Sequence, residues 1–191
     1  VFRDYLRLGV EHLITGFDHV LFVLALLFVL DRRRALLIAI TAFTLGHSAS
    51  LALAAFDLVT VPQGPVEVAI AASLVFMALE ILRRHRLGDA GQLERRPALL
   101  AGFFGLVHGL GFASVLAEAG LPAAAAPEAL FGFNLGIEIG QVALVACALA
   151  TASALRRFLP ARLLPGRVAA AYVTGSLAAM WIVERALVLV T

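Results

Sequence analysis

Five stretches of this chain place histidine, carboxylate or carboxamide side chains inside otherwise apolar sequence. The densest is Glu11-His12-Leu13-Ile14-Thr15-Gly16-Phe17-Asp18-His19. On a continuous helix His12 and His19 stand two turns apart on one face, with Glu11, Thr15 and Asp18 as a neighbouring stripe. His47 lies in Thr44-Leu45-Gly46-His47-Ser48, and His108 in Gly105-Leu106-Val107-His108-Gly109-Leu110-Gly111. Glu67 and Glu80 occupy a further apolar run, and Asn134, Glu138 and Gln141 form a polar stripe in another. Neutral imidazole with carboxylate is the ligand set of borderline divalent metals: nickel, cobalt, zinc, copper(II) and iron(II). The single cysteine, Cys147, reads as a small packing residue, and there are only 2 methionines, so soft copper(I) chemistry is disfavoured. Mixed His and carboxylate ligands suit a site that must bind and then release better than a closed cysteine cage does.

Such groups cost several kcal/mol when left unpaired in lipid, and the composition says that lipid is the solvent. Of the 191 residues 62% are hydrophobic and 15% charged, against roughly 25% charged in soluble domains. The mean hydropathy is +0.98. A span needs about 20 largely apolar residues. Six segments qualify, over residues 8–30, 35–56, 65–82, 97–119, 128–155 and 167–190. The expectation is an all-α polytopic membrane protein, a bundle of six transmembrane helices forming one domain over residues 1–191. Pro65, Pro97 and Pro127 stand where first-turn prolines belong. Residues 1–11 read as a short interfacial helix, with Phe2, Tyr5 and Leu6 toward lipid. The chain begins at Val1, which suggests that a signal peptide or extracytoplasmic segment precedes it.

All 15 basic residues are arginine, and the net charge is +2. They cluster in loops: Arg32, Arg33 and Arg34 after the first span; Arg83, Arg84, Arg86, Arg95 and Arg96 after the third; Arg156, Arg157, Arg162 and Arg167 after the fifth. The loops after the second and fourth spans carry none. By the positive-inside rule the odd-numbered loops face the cytoplasm and both termini face outward, to the periplasm of a Gram-negative inner membrane. Loop clusters without interleaved aromatics exclude a nucleic-acid partner. With this topology, His12, Asp18, His19, His47, Glu67, His108, Asn134, Glu138 and Gln141 fall at similar depths, on the outer side of the midplane. Polar groups from five helices then converge on one outward-facing site.

Plainer readings hold elsewhere. His85, among Arg83, Arg84 and Arg86, is a solvated loop residue. Glu80 is a helix-end or helix-pairing group. Glu184 and Arg185 make a local ion pair or snorkel to the interface. Thr44, Ser48 and Ser73 are interhelical hydrogen bonders, and Gly102, Gly105, Gly109 and Gly111 allow close helix approach or a bend beside His108.

The stretches Glu11 to His19 with the following Leu21-Phe22-Val23-Leu24, Phe43-Thr44-Leu45-Gly46-His47-Ser48, Val66-Glu67, Gly105 to Ala113 and Phe133 to Gln141 together resemble the HupE/UreJ family of hydrogenase and urease accessory membrane proteins. The resemblance covers nearly the whole chain. It implies a nickel or cobalt permease that supplies metallocentres, with metallocentre-assembly proteins as downstream partners. It implies His12, Asp18 and His19 as metal-handling residues, with His47, His108 and Glu138 as further ligands. Glu11, Glu67, Asn134 and Gln141 are relay or secondary candidates.

The expected function is therefore transport of a divalent transition metal, Ni²⁺ first, with Co²⁺, Zn²⁺, Cu²⁺ or Fe²⁺ as other cargoes. There is no GxxxxGK[ST], so the drive is the membrane potential, a proton gradient or trapping inside. Two alternatives stay open. One is an intramembrane zinc hydrolase, with histidines on the metal and Asp18 or Glu138 as base. The other is an accessory protein that holds metal without moving it. A serine-protease reading is weaker, because Gly111-Phe112-Ala113-Ser114-Val115 lacks the second glycine. The inner half of the bundle offers little beyond Glu80, so no inner exit is legible.

Overall fold

The computed structural model describes residues 1–88, 90–119, 125–158 and 166–189, with the backbone alone over 113–119. Arg162, named above as a loop residue, and the side chain of Ser114 lie outside it. Among the described residues every regular element is helical: α1 Phe2–Thr15, α2 Phe17–Val29, α3 Arg33–Ala55, α4 Gln63–Leu87, α5 Gln92–Arg95, α6 Pro97–Ala119, α7 Ala126–Phe158 and α8 Arg167–Val188. Four of them, α3, α4, α7 and α8, are long and apolar enough to cross a membrane, and α1 with α2 makes a fifth if the pair is one span. Helix α6 is apolar over Pro97–Phe112.

The first expected span is where sequence and structure part. A continuous helix over residues 8–30 is replaced by two helices meeting at 74°. Gly16 has an extended backbone, φ −78° and ψ 91°, which interrupts the helical ladder. That conformation is open to any residue; the glycine is needed for space. A Cβ there would stand 2.8 Å from His19 Nδ1 and 2.9 Å from the His12 carbonyl oxygen. The freed amide of His19 donates to Asp18 Oδ1 at 3.1 Å, so Asp18 serves the first turn of α2, where the helix dipole favours an anion. Residues 1–11 are likewise not a separate element. They form the body of α1, which packs along α7.

Three helix pairs make the frame, α3 with α6, α4 with α8, and α1 with α7, and α2 threads between them. Small residues set two of these contacts. A Cβ on Gly105 would strike the Phe43 carbonyl oxygen, and one on Gly46 the Gly102 carbonyl oxygen. Likewise Gly9 abuts the Phe133 carbonyl and Gly136 the Leu6 carbonyl. Backbones this close gain dispersion and Cα–H contacts that larger side chains would prevent. Along α6, Gly102, Gly105 and Gly109 meet Ala42, Phe43 and His47 in turn, and along α7, Gly132, Gly136 and Gly140 meet Phe2, Leu6 and Leu13, so α3 runs parallel to α6 and α1 to α7. By contrast, Gly64 meets Leu189 and Gly175 meets Ala78, so α4 and α8 are antiparallel.

Burial follows the pairs. Phe22, Leu26, Phe43, Leu74, Met77 and Ile81 are fully enclosed around α2. The outer faces carry Leu37, Leu45, Phe103, Phe131, Val142, Val173 and Val183 in the open. Apolar side chains outward and imidazoles inward is the order expected where lipid surrounds the bundle.

Candidate metal centre

The bend at Gly16 turns two histidines on one chain segment toward each other. The His12 and His19 rings lie 4.7 Å apart between centroids. Helix α3 adds His47, at 5.9 Å from His12 and 5.7 Å from His19. Helix α6 adds His108, 4.9 Å from His19. The last two arrive together because Gly105 and Gly109 let α6 touch the α3 backbone at Phe43 and His47. One ring nitrogen from each of His12, His19 and His47 falls within a 4.8 Å set.

Hydrogen bonds on the far side of three of these rings assign their tautomers. Asn134 donates its Nδ2 to the Leu130 carbonyl at 2.8 Å, which turns Oδ1 to His47 Nδ1 at 3.3 Å. His47 is then the Nδ1–H tautomer. Ser73 donates its hydroxyl to the Ile70 carbonyl at 2.6 Å, so its oxygen accepts from His108 Nε2–H at 3.1 Å. Asp18 Oδ1 accepts from His19 Nδ1–H at 3.3 Å. Each arrangement leaves the other ring nitrogen as a lone pair. Those atoms, His19 Nε2, His47 Nε2 and His108 Nδ1, are buried and have no hydrogen-bond partner, as is His12 Nε2. Orphaned buried polar atoms are costly, and four on adjacent rings fit a cation with imidazole affinity. A backing partner on each ring is the second shell of histidine metal sites.

His12, His19 and His108 border a cavity of about 180 Å³ that Asp18, Glu67 and Arg185 also line. It lies at the end of the bundle where α3, α6 and α8 finish and α4 and α7 begin. Phe112 covers His12 at 3.8 Å between centroids and stacks on Phe133 at 5.1 Å. On the opposite side Phe22 and Phe43 underlie His108, at 5.6 Å and 5.1 Å.

The remaining candidates divide. Glu67 borders the cavity, and Asn134 acts through His47. Glu138 is not brought to the histidines: its Oε1 accepts from Thr41 at 2.6 Å, and it lines a separate groove between α3 and α7. Gln141 is buried, accepting from Thr44 at 3.0 Å. Glu11 is exposed and paired with Arg7 at 2.7 Å. Ser73 and Thr44 bond across helices as expected, His85 is exposed, and buried Glu80 accepts from the Leu93 amide at 2.9 Å.

Arg185 neither pairs with Glu184 nor snorkels to the interface; it enters the site. Its Nη1 donates to the Glu67 carbonyl at 2.8 Å and its Nη2 reaches Asp18 Oδ2 at 3.5 Å. A basic residue one turn from the end of an apolar helix looks the same in sequence whether it snorkels outward or folds inward. At the opposite end of the bundle Arg84 bridges Asp31 and Glu94, and Arg167 bonds Asp31 at 2.5 Å and the Phe28 carbonyl at 3.0 Å.

The HupE / UreJ protein family model matches residues 1–185 of the 191. No curated protein and no solved structure matches the chain. The matched segment contains every residue of the histidine cavity, including Arg185 at its last position. By that match the chain belongs to the HupE/UreJ family.

Proposed function

We propose that this protein carries a divalent transition metal, Ni²⁺ first, across the cytoplasmic membrane, and that the metal is held in transit by His12, His19, His47 and His108 with Asp18. The family is linked to nickel and cobalt handling in a transport or accessory role and is not a known enzyme class. The observation that carries the reading is the four unpartnered, buried imidazole nitrogens on adjacent rings, three of which belong to residues lining one cavity. Asn134, Ser73 and Asp18 would hold three of the rings in the tautomer a metal needs. Glu67 is a further oxygen ligand or relay at the cavity wall, and Gln141 and Glu11 stand outside the ligand set. Glu138, in its own groove, is a relay candidate and not a ligand of this centre.

Six crossings, with α1 and α2 as one broken span and α6 as another, agree with the helix directions. Alternating spans require α1 parallel to α7, α3 parallel to α6, and α4 antiparallel to α8, and these are the directions observed. The histidine cavity then opens outward, and the Asp31–Arg84–Glu94–Arg167 network faces the cytoplasm with the other loop arginines. Both termini are extracytoplasmic in this reading. A dication entering from outside gains about 4.6 kcal/mol per 100 mV of inside-negative potential, twice the value for one charge. The route inward is closed in this conformation by Phe22, Phe43 and the apolar core beneath them, so transport requires that layer to move.

Metal uptake into sealed liposomes containing the purified chain tests this. Ni²⁺ should accumulate under an imposed inside-negative potential, and Asp18→Asn should abolish accumulation. Metal that binds the protein but never enters the lumen would contradict transport and favour the holding role.

A further inference from the structure

The cavity contains one group that works against its proposed cargo. Arg185 is a permanent cation, and its side chain is 22% exposed at the cavity mouth. Its Nη2 lies 3.5 Å from Asp18 Oδ2, a longer contact than the 2.8 Å bond from Nη1 to the Glu67 carbonyl. The guanidinium stands 5.6 Å from the Trp181 ring centre, a cation–π distance. Helix α8 ends three residues later, at Val188, so the side chain has a short path to water. Its neighbour Glu184 is exposed.

Charge balance decides what the arginine is for. Empty, the cavity holds the Asp18 and Glu67 carboxylates and one guanidinium. A dication added with Arg185 in place would leave an uncompensated positive charge within a few ångströms of another. With Arg185 turned out to water, the dication and the two carboxylates balance. Like charges at such distance in a poorly solvated site repel strongly.

We propose that Arg185 is a displaceable counter-charge: it neutralises Asp18 while the site is empty and competes with the metal for that carboxylate. Loading drives the guanidinium off Asp18 and away from Trp181. Its return helps to expel the metal. Arg185 therefore sets the affinity and the release rate of the site without being a ligand. This rests on the metal reading above, and deepens it by naming what makes the site let go.

The test uses the purified full chain with Ni²⁺ and Zn²⁺ as probes. Arg185→Gln should bind Ni²⁺ about tenfold or more tightly and release it to a chelator more slowly by a similar factor. Arg185→Lys, which keeps the charge, should stay close to wild type. Trp181 is the only tryptophan in the chain, so its emission reports Arg185 directly. Zn²⁺, which has a filled d shell, should change that emission in the wild type with the same midpoint as binding. Equal or weaker Ni²⁺ binding by a folded Arg185→Gln variant overturns the proposal. Should that variant not fold, unchanged Trp181 emission in a wild type that binds Zn²⁺ overturns it instead. A wild type that binds neither metal removes the site itself, a different failure from one confined to Arg185.

Discussion

At the scale of single residues, the centre depends as much on what stands behind the imidazoles as on the imidazoles. Asn134 and Ser73 do not line the histidine cavity, yet each fixes which nitrogen of His47 or His108 carries the proton. Replacing a backing group of this type costs about 10- to 100-fold in metal affinity. Asn134→Leu and Ser73→Ala should each weaken Ni²⁺ binding by a factor in that range, measured by equilibrium dialysis, while the helical circular dichroism stays unchanged. Unaltered affinity in both variants would mean that the rings are oriented by packing alone. The histidines were legible in sequence because an ionisable group in an apolar run is costly and therefore conspicuous. That Ser73 backs His108 and that Arg185 turns inward were not, since a small hydroxyl or a terminal arginine in a span carries no signal of which way it points.

The elements explain why these residues meet. Sequence spacing gave His12 and His19 one face of a helix, but two turns of helix would separate them by about 10 Å. The break at Gly16 brings the rings to 4.7 Å. Periodicity cannot report such a break, because the same polar residues also fit one stripe of a continuous helix and the glycine keeps a negative φ. The close pairing of α3 and α6 was partly legible, because Gly102, Gly105 and Gly109 recur at helix-face intervals. Their partners were not, because a glycine does not name the backbone it touches. Gly105→Val should destabilise the bundle by about 1–3 kcal/mol through overpacking, because its side chain would press on the Phe43 carbonyl. Ni²⁺ binding should fall with it, as His47 and His108 separate. Gly166→Ala, with nothing within 4 Å of the added Cβ, should leave both the thermal midpoint in detergent and Ni²⁺ binding unchanged.

For the whole molecule, the bundle has two unlike ends. One holds histidines around a cavity; the other is tied by Asp31, Arg84, Glu94 and Arg167 from the α2–α3 turn, α4, α5 and α8. The hydrogen bond from Arg84, with Arg167 adding to it, holds the Asp31 carboxyl below its ordinary range. A carboxyl lowered by folding stabilises the protein above its unfolded value, about pH 4, and that contribution disappears as the pH falls through the lower folded value. Asp31→Asn should therefore lower the thermal midpoint near neutral pH and flatten its decline below about pH 4. An identical pH profile for wild type and variant would show that the network adds nothing to stability. The arginine clusters made this end visible in sequence, but not the cross-links, which join residues as far apart as Asp31 and Arg167. Nor did sequence show what separates the histidines from the Asp31 end of the bundle, because Phe22 and Phe43 read there as ordinary apolar span residues.

X-ray absorption on the nickel-loaded, purified protein tests the central claim most directly. The account predicts imidazole nitrogens at about 2.1 Å from the metal, three or four of them. The imidazole signal should fall in His19→Ala and in His47→Ala and stay intact in Glu138→Gln. A nickel site surrounded by oxygen alone, or one whose imidazole signal survives both histidine substitutions, would contradict it.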